Sequence, residues 1–142
     1  MTRPDRLRDM AQKDEDPAAV IWERAAARGN EAAERGEREL AAVLAVHHLV
    51  CDGGVGHAVA VLRQGQLSAA AEGAAYFGLT RLAASFDGMA LACASEEVYD
   101  FARSGPLLDR LEEEYDARTE GGRILWALRR KFRASPEDFP PG

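Results

Sequence analysis

The 142-residue chain carries 24 acidic and 18 basic residues, for a net charge of −6 and a pI near 5.1. On average that charge repels a nucleic-acid duplex or an anionic membrane, which argues against direct binding to either without a local basic patch. With 46% hydrophobic and 30% charged residues, and 27 Ala against 13 Val, Ile and Thr together, the composition excludes a disordered chain and favours an all-α protein.

Met1 to Asp16 mixes both signs of charge with almost no apolar content and reads as a disordered leader, leaving residues 17–142 as a single helical domain. Asp16 followed by Pro17 predicts an N-cap with proline at the first helical position. The first helix then carries Val20, Ile21 and Trp22 and ends at Gly29. Asn30 is positioned to cap a second helix whose first turns, Glu31 to Arg38, alternate acid and base; Gly36 inside them marks a kink or a break. Leu40, Val43, Leu44, His47, Val50 and Cys51 recur at three- and four-residue steps and share one helical face. Asp52-Gly53-Gly54 then predicts a corner between two helices, the second carrying Val55, Val59 and Leu62 and stopping at Gly65.

Arg63 to Gln66 reads as a loop, with Ser68 capping a helix of small residues: Ala70, Ala71, Ala74 and Ala75. Gly78 permits a close approach or a break before the apolar face of Leu82, Phe86, Met89, Ala90 and Cys93. A short helix from Ser95 to Ser104 follows, then one opened by Pro106 with Leu107, Leu108, Leu111 and Tyr115 inward. Gly121-Gly122 separates the last helix, in which Ile124, Leu125, Leu128 and Phe132 oppose a basic face, and Phe139 docks from the tail. The expectation is about seven or eight short to medium helices.

Cys51 and Cys93 lie in apolar patterns and read as buried free thiols of a reducing compartment. No apolar run approaches the roughly 20 residues that span a bilayer, and the first residues lack a signal-peptide core. A cytoplasmic protein is expected. His47, Cys51 and His57 could be brought together, but no spacing typical of a zinc site is present. The glycine-rich corner follows a helix and lacks the Lys and Ser/Thr of a phosphate loop. No cofactor, metal or catalytic motif is called for.

The helix running into an Asx-Gly-Gly corner, the small-residue helix ending Tyr76-Phe77-Gly78-Leu79, Leu108-Asp109 with Tyr115 six residues on, and the closing Ser135-Pro136-Glu137-Asp138-Phe139 together resemble the bacterial DNA mimic protein family, whose members are helical and mostly without assigned function. The resemblance covers about residues 37–139. It departs from the family at Asp52, where Asn is usual, and at Val55 and Ala58, where aromatic residues are common. It implies a helical fold and a non-enzymatic module that binds a basic protein, such as a DNA-binding regulator.

Between Glu96 and Glu120 stand nine acids and three bases, a local balance of −6. Asp109, Glu112, Glu113 and Asp116 form the candidate partner-binding face, since carboxylates on a rigid helix attract the Arg and Lys residues that otherwise meet phosphates. The competing reading is a solvated face neutralised by Arg123, Arg129, Arg130, Lys131 and Arg133. Two further readings stay open. One is a small enzyme or ligand-binding domain with a pocket near the Asp52-Gly53-Gly54 corner and His57; the other is an immunity or antitoxin-like inhibitor using the same acidic surface. Self-association as a homodimer also stays open.

Overall fold

A computed structural model of the chain describes residues 16–94 and 101–140. Among these residues there are six α-helices and no strand: α1 (Pro17–Arg28), α2 (Arg35–Val61), α3 (Gln64–Tyr76), α4 (Thr80–Ala94), α5 (Phe101–Thr119) and α6 (Arg123–Ala134). Two short 3-10 turns, Gly29–Glu31 and Pro136–Asp138, complete the set. The all-α expectation holds, whereas the count of seven or eight helices does not. The expected leader falls outside the described residues except for Asp16, as does the Ser95–Asp100 part of the expected short helix.

The corner and Pro106 account for the difference in count, and the start of α3 is displaced as well. The Asp52-Gly53-Gly54 corner is present as a kink: two helical segments meet at Gly54, which stands outside helical geometry at φ 86° and ψ 175°, and they are counted together here as α2. Pro106 does not open a helix but lies inside α5, where it removes one backbone donor without ending the element. Helix α3 starts at Gln64 rather than Ser68, because the Gln66 side chain reaches back to accept from the Arg63 N–H at 2.9 Å. Asn30 lies in the 3-10 turn, and α2 begins at Arg35 after Glu34. Gly36 neither kinks nor breaks the chain; it sits in the first turn of α2, directly against the Phe139 ring.

Helix α1 starts as its sequence dictates, with the Asp16 side chain accepting from the Ala18 N–H at 3.0 Å. Helix α2 supplies the largest share of the core: Leu40, Val43, Leu44, Val46 and Val55 are essentially inaccessible. Each such side chain contributes roughly 1.5–3 kcal/mol by leaving water. Helix α3 offers it a surface of Ala70, Ala71, Gly73 and Ala74, all buried. A Cβ at Gly73 would overlap the Glu39 carbonyl, so glycine is what lets the two backbones approach. Helix α4 packs on α3 and brings Leu82, Phe86 and Met89. All six helices and Phe139 feed one contiguous buried cluster. By length and composition α2 could cross a membrane; here it is kinked at Gly54 and packs against α1, α3, α4 and α5. Glu37, expected on the polar first turns, is instead fully buried, with Arg28 Nη1 3.8 Å from its carboxylate.

Candidate functional site

Helix α5 turns its residues in three directions. Leu111 and Tyr115 point into the core. Asp109, Glu113 and Asp116 are exposed, and at about 100° per residue they fall within one narrow stripe roughly 150° from that inward direction. The stripe therefore faces straight out. No ion pair among the described residues involves any of the three.

Glu112, the fourth residue of the candidate face, behaves differently. Its side chain lies against the kink in α2, and Oε1 accepts from the Val55 N–H at 3.1 Å. A Cβ at Gly54 would overlap that same carboxylate. When a helix restarts after a break, its first N–H groups have no carbonyl behind them, and a carboxylate at that end satisfies one of them and matches the local dipole. The structure thus joins the corner to the acidic helix, but as a cap and its helix end rather than as two parts of a binding surface. Glu112 is removed from the exposed stripe for this reason. Nothing local in the sequence announces the contact, because the two residues are 57 positions apart.

Three of the five cations of α6 are also committed, though not to α5. Arg129 Nε donates to Asp16 Oδ2 at 2.6 Å. Burial pushes the Asp16 carboxyl up, but the Ala18 N–H and the Arg129 guanidinium outweigh it and hold the group below its ordinary range. Arg130 donates to the Phe77 carbonyl at 3.3 Å and lies 4.7 Å over the Trp126 ring. Lys131 sits 4.4 Å over the ring of Tyr76, whose hydroxyl donates to Asp138 at 2.6 Å. Neutralisation on α5 is instead internal: Glu114 pairs with Arg110 at 3.9 Å and with Arg118 at 3.5 Å. Arg118 also donates to the buried Ser85 hydroxyl at 2.6 Å.

At the corner, Asp52 and Gly53 are exposed, and the His57 ring covers Gly53 closely. The described residues hold no group of three or more potential metal ligands. His47 is half-buried and hydrogen-bonded, its Nδ1 2.7 Å from the Tyr115 hydroxyl. Burial first, and the neighbouring His48 second, hold its pKa below the ordinary value. Burial likewise drives the Tyr115 hydroxyl upward. One expectation about the thiols fails: Cys51 is exposed and only Cys93 is half-buried, since the last residue of the apolar stripe on α2 lies at its edge.

An open cleft of about 920 Å³ lies away from the corner, between the start of α4, the end of α5 and α6. Arg81, Arg118, Arg123 and Arg130 line it with Glu114 and Glu120, beside the half-exposed Trp126. Helix α5 thus presents an acidic stripe outward and borders a basic cleft at its C-terminal end. Comparison with family models, with characterised proteins and with solved structures finds no match for this chain.

Proposed function

We propose that this chain is a non-enzymatic interaction module that uses the Asp109–Glu113–Asp116 stripe of α5 to engage a basic protein, in the manner implied by its resemblance to the DNA mimic family, and that it works in the cytoplasm. One observation carries the reading. The five cations of α6 that could have neutralised the stripe form no ion pair with it among the described residues, and three of them have other partners. The partner suited to such a surface is a DNA-binding regulator, whose Arg and Lys side chains already converge on anions.

Magnitudes limit what the stripe does. Its three charges span seven residue steps, about 10.5 Å of helix, or roughly one charge per 5 Å. Duplex DNA carries one per about 1.7 Å. The stripe therefore meets two or three basic side chains rather than reproducing a duplex. Exposed pairs contribute about 0.2–1 kcal/mol each, so the stripe supplies at most about 3 kcal/mol of the roughly 8 kcal/mol behind a micromolar complex. Its part is steering and orientation, and neighbouring apolar contacts supply the rest.

The test is affinity capture from the source lysate with the native chain and with an Asp109→Asn/Glu113→Gln/Asp116→Asn variant, eluting with duplex DNA and then with salt. The reading expects a DNA-binding protein released by duplex DNA and lost with the variant. Capture that is indifferent to both DNA and the three substitutions would refute it.

A further inference from the structure

We propose that the cleft between the start of α4, the end of α5 and the start of α6 binds a small organic phosphate, its phosphate groups on the arginines and its organic part against Trp126. The proposal is independent of the acidic stripe. At about 920 Å³ the cleft has the volume of a small-molecule site rather than that of a bare ion. Four of its lining residues are arginines and two are glutamates, a local balance of +2 in a chain whose net charge is −6. That net charge repels a long polyanion such as duplex DNA, whereas a small anion inside the cleft meets mainly the local field.

Two of the arginines are held in place by contacts that leave donors unused. Arg118 Nη1 donates to the Ser85 hydroxyl at 2.6 Å and stands 3.5 Å from the Glu114 carboxylate. Arg130 Nη2 donates to the Phe77 carbonyl at 3.3 Å, and its guanidinium lies 4.7 Å over the Trp126 ring. A guanidinium carries five N–H donors in a fixed fork that fits phosphate oxygens, so each keeps donors for a ligand. Gly78 makes room for this seating: a Cβ there would overlap the Arg130 guanidinium, and a φ of 78° suits glycine. Arg81 and Arg123, both exposed on the cleft wall, bring the other two charges.

Two helix starts border the same cleft and add to the arginines. Thr80, Arg81 and Leu82 line it and precede the first backbone bond of α4, which runs from the Ala83 N–H to the Leu79 carbonyl at 2.9 Å. Arg123 likewise precedes the first bond of α6, from the Trp126 N–H to the Gly122 carbonyl at 2.9 Å, and no side chain caps that helix. The first N–H groups of a helix have no carbonyl behind them and amount to roughly half a positive charge at each end. Neither end makes a site alone, but with the arginines they bring the local charge to about +3. A phosphate ester with two or three negative charges matches that value, and a monocarboxylate does not. Trp126, half-exposed beside the arginines, offers the organic part an aromatic surface.

The test records proton–nitrogen NMR spectra of the full chain during titration with inorganic pyrophosphate and with ADP, at constant ionic strength. The two indole N–H signals report separately, Trp126 from the cleft and Trp22 from α1. Both probes are expected to move Trp126 and the amides of residues 80–82 and 123–125 along saturable curves, with Trp22 still and ADP the tighter ligand. Arg81→Gln/Arg123→Gln should weaken both about tenfold. Trp126→Leu should remove the advantage of ADP and keep pyrophosphate binding, and the Asp109→Asn/Glu113→Gln/Asp116→Asn variant should bind both probes as the parent does. Adenosine, which lacks phosphate, and citrate, a carboxylate anion of similar charge, should bind more weakly than ADP and pyrophosphate. Shifts that do not saturate at millimolar concentration, equal movement of Trp22, adenosine or citrate binding as tightly as the phosphates, or a double arginine variant that binds like the parent would each overturn the proposal.

Discussion

Helices α5 and α6 carry opposite charge and follow one another in the chain, yet they use it in opposite ways. Three of the five cations of α6 are drawn inward or along the surface to a carboxylate, a carbonyl and two aromatic rings. On α5, one carboxylate is consumed as a cap, one is paired within its own helix, and three face outward. Charge complementarity in the sequence is therefore a poor guide to pairing. Each helix is first fixed by its apolar side, through Leu111 and Tyr115 or Ile124, Ala127 and Leu128, and its charges meet whatever that orientation leaves nearby.

If apolar seating dominates, Leu128→Ala is the most damaging single change on α6 and costs about 2–5 kcal/mol by chemical denaturation. Arg129→Ala, which removes only a half-exposed pair with Asp16, costs less than about 1 kcal/mol. Equal costs would mean that α6 is held by charge. Within α5, Glu112→Ala removes the cap on the restarted α2 and is expected to cost about 0.5–2 kcal/mol. Glu113→Gln, one residue on, stays within about 0.5 kcal/mol of the parent. A reversed order would place Glu112 among the free carboxylates and undo the division.

Acidification probes the other side of α5. The folded-state pKa of His47 lies below its ordinary value of 6.5, so the unfolded chain takes up that proton first. The stability tied to the neutral ring is fully present above about pH 6.5 and is lost as pH falls from there through the folded-state pKa. The melting temperature of the native chain should therefore decline more between pH 7 and 5 than that of His47→Leu. Parallel curves would contradict the burial of a neutral His47 ring.

Local chemistry made part of this molecule legible. Asp16 before Pro17 specifies the start of α1, the small residues of α3 foretell its close contact with α2, and Phe139 docks as its pattern implies. Reading failed where a distant contact overrode a local rule. Gly53 and Gly54 do make a corner, at Gly54, but the carboxylate that caps the segment restarting there is Glu112 of α5, which the sequence places on the acidic face. Pro106 resembles a first-turn residue, yet α5 begins five residues before it. The i, i+4 spacing of His47 and Cys51 is visible in the sequence, while the tyrosine that orients the ring stands 68 residues away. As for the candidate face, three of its four residues lie where the periodicity put them; the fourth is removed by a contact that no helical wheel contains.

The most direct measurement is a side-chain carboxyl NMR titration of the full chain with a short arginine-rich peptide at low and raised salt. The account predicts that the Asp109, Glu113 and Asp116 signals move together, lose that movement as salt rises, and leave Glu112 and Glu114 nearly still. Uniform movement of all five, or larger shifts at Glu112 and Glu114 than along the stripe, would contradict it.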